Sequence, residues 1–128
     1  MAGISLSALV VAHNEEAQLA QCLETLRFAD EIVVVLDRCT DSSRDIAARF
    51  TSRLIEDAWV REGERRNAGI DGCTGDWVLE VDADERIPAP LADEVRRTIA
   101  ESGGDWHLVP VDNYIGERLV RHGWGGSW

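Results

Sequence analysis

Short apolar runs alternate with amphipathic patterns along the first hundred residues. The runs at residues 4–12 and 32–36 are mostly apolar, and the second consists of β-branched residues and leucine. Runs of this length and composition are typical of buried strands. Between them, apolar side chains recur every three or four positions over residues 15–26, which predicts a helix whose N-cap is Asn14.

The same alternation continues to about residue 100. Strands and helices that alternate in this way form right-handed βαβ units on a mostly parallel sheet flanked by helices. The sequence therefore predicts an α/β fold with a single domain over residues 1–128. Two further strands are predicted at residues 52–55 and 77–81. Three further helices are predicted: one after the capping residues 40–43, one over residues 64–73, and one that carries Leu91, Val95 and Ile99 on one face.

The last part of the chain has a different pattern. Residues 106–110 predict a strand, and residues 111–115 and 118–122 predict a hairpin that turns at Gly116 and Glu117. We therefore expect antiparallel strands at one edge of the sheet.

Charge excludes several functions. The chain has 24 acidic residues against 13 basic ones, all arginine, and a formal net charge of −11. A protein this acidic is poorly suited to bind nucleic acid or an anionic lipid surface.

Its three cysteines are too few and too widely spaced for a disulfide framework or a zinc site, and no apolar run approaches the ~20 residues of a membrane span. We expect a cytoplasmic protein in which Cys22 and Cys73 are packed thiols and Cys39 is exposed.

Polar residues follow three of the predicted strands directly. The first strand leads into His13, Asn14 and Glu15, the second into Asp37, and the fourth into an acidic turn that begins at Asp82. In an open parallel sheet, ligands bind beyond the carboxyl ends of the strands. A loop start or helix cap explains any one of these groups, whereas three on one rim favour a ligand site.

The acidic turn is the sharpest of these features. Asp82 and Asp84 are separated by one small residue, and carboxylates this close repel one another unless a cation lies between them. Oxygen ligands suit Mg²⁺ or Mn²⁺, which is commonly held by one or two carboxylates and substrate phosphates. The alternative is a solvated acidic turn without a ligand.

Two phosphate-binding motifs are missing from the sequence. No Gly-x-Gly-x-x-Gly follows the first strand, and a chain without lysine has no Walker-type loop. A nucleotide at this rim would need a metal to offset its diphosphate, with Arg61, Arg65 or Arg66 as candidate helpers. The alternative for these arginines is a solvated helix face.

Four segments carry a combined pattern in order and spacing: Val10 to Glu16, Asp37 with Thr40-Asp41-Ser42, Arg66 to Gly69, and Gly75 to Glu85. Together they resemble glycosyltransferase family 2, whose members have the Rossmann-like GT-A nucleotide-sugar-binding fold. The resemblance covers the whole chain, and the tail from Asp112 to Trp124 is similar to the branch that contains lipopolysaccharide-core glucosyltransferases.

The resemblance implies a role for each matching residue. Ala12, His13, Asn14 and Glu15 would line the nucleoside pocket of a nucleotide-sugar donor, most often a UDP-sugar. Asp37 would hydrogen-bond the nucleoside, and Arg66 with Arg61 would lie near the phosphates. Asp82 would meet the ribose and the metal, and Asp84 the metal and the diphosphate. His13 and Arg38 depart from the family pattern, in which Tyr or Phe is commoner at the first position and a small residue at the second.

The implied reaction is metal-dependent transfer of the sugar, with inversion, to an acceptor hydroxyl. The acceptor would be a saccharide or lipid-linked saccharide of the cell envelope, met in the cytoplasm or at the inner face of the membrane. Family members continue for about as many residues again, so we expect this chain to be the donor-binding half and assign no catalytic base. The terminal Trp124 and Trp128 are interpreted as core residues without their cover, which favours self-association.

Two other functions remain open at this point. One is a module that binds a nucleotide-sugar without turnover, and the other is a nucleotidyltransferase that makes nucleotide-sugars. Nucleotidyltransferases usually carry a glycine-rich basic loop after the first strand, which residues 13–16 lack. Asp112 and Glu117 are interpreted as surface charges of the hairpin.

Overall fold

A six-stranded sheet with the order β3-β2-β1-β4-β6-β5 organises the protein. The computed structural model describes residues 4–59, 61–101, 106–111 and 114–121. The first four strands are parallel, and β6 runs antiparallel to both β4 and β5. The elements are β1 (Leu6–Ala12), α1 (Leu19–Glu24), β2 (Glu31–Asp37), α2 (Ser43–Ala48), β3 (Leu54–Asp57), α3 (Glu62–Asp71), β4 (Trp77–Asp82), α4 (Ala89–Glu101), β5 (Trp106–Val111) and β6 (Tyr114–Arg121).

Side chains of the central strands point alternately to the two faces of the sheet, and a hydrophobic core forms on each face. One face packs against buried side chains of α1, α2 and α4, including Leu23, Ala47 and Val95. The other face packs against α3 and the turn after it through Ile70 and Cys73. The mostly parallel α/β architecture predicted from the apolar runs is therefore confirmed, and both buried cysteines are packed thiols as expected.

The first helix starts later than predicted. Asn14 is not its N-cap, because the helix begins at Leu19 and follows Gln18. Asn14 has a left-handed backbone with φ 54°, and the Glu15 carbonyl accepts N–H groups of Gln18 at 3.1 Å and Leu19 at 2.9 Å in an intervening turn. The loop after β1 is thus longer than expected, and the side chain of Asn14 is used elsewhere.

The hairpin also turns at a different position. Gly116 and Glu117 lie within β6 rather than at the turn, because β5 ends at Val111 and pairs there with Tyr114. The strand stays continuous because its second half also pairs with β4, where Arg118 lies opposite Glu80. The interpretations that concern Asp112, Trp124 and Trp128, with self-association among them, fall outside the described residues.

Candidate active site at the carboxyl ends of β1 and β4

A cleft of about 280 Å³ lies beyond the carboxyl ends of β1 and β4. Asp82 and Asp84 are both exposed on its wall, whereas Ala83 between them is buried in the core. Both residues line this cleft together with His13 and Glu15, which follow β1. The lining residues are Val11, His13, Glu15, Arg65, Asp82, Ala83 and Asp84.

Glu85 holds the acidic turn in shape. Its carboxylate accepts the backbone N–H of Asp82 at 2.8 Å, and its own N–H donates to the Asp82 carbonyl at 2.9 Å. The thiol of Cys22 donates to the same carbonyl at 3.5 Å. Burial raises the pKa of Glu85, and the negative charges of Asp82 and Asp84 add to this effect, although the N–H bond opposes it. Nothing in the sequence distinguished Glu85 from its acidic neighbours.

The residues after β1 are tied to the end of β2. His13 Nδ1 lies 2.7 Å from the carbonyl oxygen of Asp37. A carbonyl only accepts, so Nδ1 carries the proton and Nε2 of the neutral ring does not. The Glu15 N–H donates to the hydroxyl of Ser43 at 2.9 Å, which fixes the loop against the start of α2.

Asp37 lies at the centre of a buried charge cluster. Its side chain is 1% exposed, and its two oxygens accept hydrogen bonds from the side chains of Arg38 and Arg65 and from the backbone N–H of Trp59. Burial by itself would raise the pKa of Asp37, but hydrogen bonds from Arg38, Arg65 and Trp59 lower it below its usual value. The carboxylate is therefore ionised at neutral pH, and its single negative charge is shared between two guanidinium groups.

The three candidate arginines have different surroundings. Arg65 is on the cleft wall and donates from Nη1 to Asp37 at 2.9 Å. Arg66 forms an ion pair with Glu80 of β4 at 3.1 Å, with both side chains mostly covered. Arg61 is exposed at the N-cap of α3. Of the three, the cleft lining includes Arg65 and neither Arg61 nor Arg66.

The other predicted donor-binding residues lie around this cleft. Ala12 is buried, and its carbonyl accepts the thiol of Cys39 at 3.4 Å. Asn14 is exposed and bonds the loop after β2. Of the predicted set, the cleft brings together His13, Glu15, Asp82 and Asp84, while Ala12, Asn14 and Asp37 form its supporting rim.

The oxygen donors in the cleft fit a hard divalent cation. Asp82 and Asp84 offer exposed carboxylates, and Mg²⁺ is commonly bound by one or two carboxylates together with substrate phosphates. Within the described part of the chain, no group of three or more His, Cys, Asp or Glu side chains is gathered to hold a metal. A cation here would therefore need ligands from a bound substrate.

Comparisons with known proteins agree on one family. The model of glycosyl transferase family 2 matches residues 7–121. An uncharacterized glycosyltransferase of Rickettsia typhi is 30% identical over 81% of this chain and 36% of its own length. The lipopolysaccharide core biosynthesis glycosyltransferase LpsC of Rhizobium meliloti is 27% identical over 92% of this chain and 42% of its own length. This chain thus spans well under half of either relative.

A solved structure shares the architecture. Glucosyl-3-phosphoglycerate synthase from Mycobacterium tuberculosis, in complex with Mg²⁺ and uridine diphosphate, superposes with a TM-score of 0.73. The likeness covers 94% of this chain and 57% of that one at 19% identity, which is evidence about the fold alone. It confirms the Rossmann-like GT-A fold expected from the sequence. Among the helices described here, none is long and apolar enough to cross a membrane.

Proposed function

The chain belongs to glycosyl transferase family 2, and on this premise we propose that it holds the donor of a metal-dependent, inverting sugar transfer. The donor would be a nucleoside diphosphate sugar, with uridine as the expected nucleoside. The observation that carries the proposal is the shared cleft, in which Asp82 and Asp84 face His13, Glu15 and Arg65.

In this proposal the acidic pair holds the metal. Asp84 and Asp82 would supply carboxylate oxygens, and the donor's diphosphate would supply further ligands. The bound metal would offset the negative charge that develops on the leaving nucleoside diphosphate. Glu85 keeps the turn in position through its bond to the Asp82 N–H.

The diphosphate also needs a positive side chain from the protein. The position of Arg65 on the cleft wall supports it as that group. The ion pair of Arg66 with Glu80 gives Arg66 a structural role between α3 and β4. Arg61, exposed at the start of α3, would approach the diphosphate only from the rim.

The nucleoside would lie against the ends of β1 and β2. In this proposal His13, Asn14 and Glu15 would form one wall, with Ala12 beneath them, and Asp37 with its partners would form the other; the contact of His13 with the Asp37 carbonyl supports this. Nδ1 of His13 is used on the Asp37 carbonyl, which leaves Nε2 as the ring nitrogen available to a ligand.

The acceptor in this proposal is a saccharide or lipid-linked saccharide of the cell envelope. The name of the LpsC relative, with its role in lipopolysaccharide core biosynthesis, supports this class. Such an acceptor places the reaction in the cytoplasm, at the inner face of the membrane. The group that deprotonates the acceptor hydroxyl is not assigned to any residue of this chain.

Calorimetric titration with UDP, in the presence and absence of Mn²⁺, tests the proposal. We expect saturable binding of UDP that requires Mn²⁺, and no binding of UDP without metal to a protein of net charge −11. Equal binding with and without Mn²⁺ would contradict the metal-dependent site. A parallel assay measures the release of sugar from UDP-glucose, which a transferase would catalyse and a binding module would not. A second assay, the formation of UDP-glucose from UTP and glucose 1-phosphate, would indicate a nucleotidyltransferase.

A further inference from the structure

The acidic turn is attached to α1 at both of its ends. The Asp82 carbonyl accepts the thiol of Cys22 at 3.5 Å, and the Ile87 N–H donates to the hydroxyl of Thr25 at 3.1 Å. Cys22 belongs to α1, and Thr25 directly follows the last residue of that helix. The segment 82–87 is therefore bonded to one short helix at its first and last residues.

Arg86 bridges the same turn and the same helix. Its Nη1 donates to the Glu85 carbonyl at 3.0 Å and lies 3.5 Å from the carbonyl oxygen of Ala83. Its Nη2 donates to Oε1 of Gln21 at 2.8 Å and lies 3.5 Å from Oε1 of Gln18. One arm of the guanidinium thus contacts the backbone of the turn, and the other contacts α1.

The contact with Glu85 extends this restraint to the acidic pair. The Glu85 N–H donates to the Asp82 carbonyl at 2.9 Å, and the Glu85 carboxylate accepts the Asp82 N–H at 2.8 Å. Glu85 is therefore bonded twice to Asp82 and once to Arg86. Because the guanidinium is planar and its N–H groups have fixed directions, a change at Arg86 would alter the orientation of the turn. The spacing of the Asp82 and Asp84 carboxylates would change with it.

The helix that Arg86 contacts is also bonded to the loop after β1. Glu15 lines the cleft, and its carbonyl accepts the N–H groups of Gln18 and Leu19 at the start of α1. Since Arg86 contacts α1 through Gln21 and Gln18, the helix connects the acidic turn after β4 to the residues that follow β1. Both sets of residues line the cleft.

We propose that Arg86 is a positioning residue for the metal and diphosphate: it holds the acidic turn against α1 and so fixes where Asp82 and Asp84 lie relative to the residues after β1. The inference rests on the proposed function. Arg86 is not part of the cleft lining, and it acts through the backbone of the turn rather than by touching the donor.

The charge of Arg86 makes this role testable, because charge and position predict opposite effects. If Arg86 acted only as a positive charge beside the acidic turn, Arg86→Ala would leave the site more negative, and Mn²⁺ would bind more tightly. If Arg86 positions the turn, the same change weakens the UDP-dependent binding of Mn²⁺ by about tenfold, a usual effect of removing a group that orients metal ligands.

Two milder substitutions separate charge from position further. Arg86→Lys keeps the charge and loses the planar fork that contacts both elements, so it should recover only part of the Mn²⁺ affinity. Gln21→Ala leaves the charge of the protein unchanged and removes the acceptor at 2.8 Å, so it should also weaken binding. Gln21→Ala should add little to Arg86→Ala, because both changes break the same contact.

The experiment measures Mn²⁺ binding by electron paramagnetic resonance, with and without UDP, and amide hydrogen exchange of the metal-free protein. Arg97→Ala is the matched control, because it removes a guanidinium from an exposed position of α4. We expect Arg86→Ala to change the line shape of bound Mn²⁺, which reports the geometry of its ligands, and Arg97→Ala to leave it unchanged. In the metal-free protein, Arg86→Ala should speed exchange of the Asp82 N–H and leave exchange in β2 as in the wild type.

The outcomes distinguish the inference from the proposed function. Unchanged or tighter UDP-dependent Mn²⁺ binding by Arg86→Ala, or full recovery by Arg86→Lys, would overturn the positioning role alone. Undiminished binding by Gln21→Ala would contradict the contact with α1 as its basis. Absence of UDP-dependent Mn²⁺ binding by the wild type would overturn the proposed function, and the role of Arg86 with it.

Discussion

The side chain of Asn14 joins the loop after β1 to the loop after β2 through the backbone of Thr40. Asn14 Oδ1 accepts the Thr40 N–H at 2.7 Å and the Asp41 N–H at 3.2 Å. The Glu16 N–H donates to the Asp41 carboxylate at 3.1 Å and strengthens the same connection. These bonds hold the two strand ends at a fixed separation.

Replacement of Asn14 should reveal both its side-chain bonds and its backbone conformation. Asn14→Gly keeps the left-handed backbone accessible and loses the two bonds, at a cost of about 1 kcal/mol in the free energy of unfolding. Asn14→Ala loses the bonds and also strains the backbone at φ 54°, so it should cost about 1 kcal/mol more. Urea denaturation of both variants measures the difference. Equal stability of the two variants would show that the left-handed conformation carries no cost.

Two glycines of α3 form a matched pair for a packing test. A Cβ atom at Gly69 would lie 2.7 Å from Leu9 Cδ1 and 2.8 Å from Val35 Cγ2, whereas at Gly63 it would meet nothing within 4 Å. Gly69→Ala should therefore destabilise the protein by about 1–3 kcal/mol through overpacking. Gly63→Ala should be neutral or stabilising by up to about 1 kcal/mol, because alanine favours the helix. Thermal denaturation of both variants checks the contrast, and a neutral Gly69→Ala would contradict the close approach of α3 to the sheet.

Glu31 makes stability depend on acid pH. Its carboxylate accepts the hydroxyl of Ser7 at 2.6 Å and the N–H of Thr74 at 2.8 Å. Burial would raise the pKa of Glu31, but these bonds, with the Thr74 hydroxyl and Arg53, lower it. A lowered folded-state pKa means that ionised Glu31 stabilises the fold at higher pH, and that this contribution disappears as the pH falls below about 4.3 towards the folded-state value.

The measurement is urea denaturation of the wild type and Glu31→Gln between pH 7 and pH 3. We expect the wild type to be more stable at neutral pH and its advantage to shrink steadily below about pH 4.3. Glu94→Gln, which removes an exposed carboxylate of α4, controls for the change in net charge. An advantage that stays constant down to pH 3 would contradict the assignment.

The layered fold could be predicted from local patterns, because the spacing of apolar residues shows which side of each element is buried. The β-branched run at residues 32–36 is fully explained by β2, which is packed on both faces. The spacing of Leu91, Val95 and Ile99 likewise predicts α4, in which Val95 and Ile99 are buried and Leu91 is partly buried. Such signals depend only on the period of an element and on the side it turns to the core.

Features that depend on contacts between distant residues were not predictable in the same way. Asn14 is a residue type favoured at N-caps, but its side-chain oxygen accepts two N–H groups of the loop after β2 instead. The pairing of Arg65 with Asp37 joins positions 28 residues apart and depends on where α3 crosses the sheet. The close approach at Gly69 and the turn-holding role of Glu85 similarly require the assembled structure.

The acidic pair at the rim was predictable, because both residues come within three positions of the end of the predicted strand 77–81. The structure adds that Asp82 and Asp84 share a cleft with the end of β1 and with Arg65. In the proposed site, these two carboxylates and the diphosphate of the donor would hold the metal.

Electron paramagnetic resonance of Mn²⁺, titrated into the protein with and without UDP, tests this central claim most directly. We compare the wild type with Asp84→Asn, which keeps the shape of the side chain and removes its charge. Asp93→Asn is the control, because it makes the same change on an exposed position of α4. We predict that the wild type and Asp93→Asn bind Mn²⁺ more tightly when UDP is present, and that Asp84→Asn loses about tenfold or more of that affinity. UDP-dependent Mn²⁺ binding that is undiminished in Asp84→Asn would contradict the account.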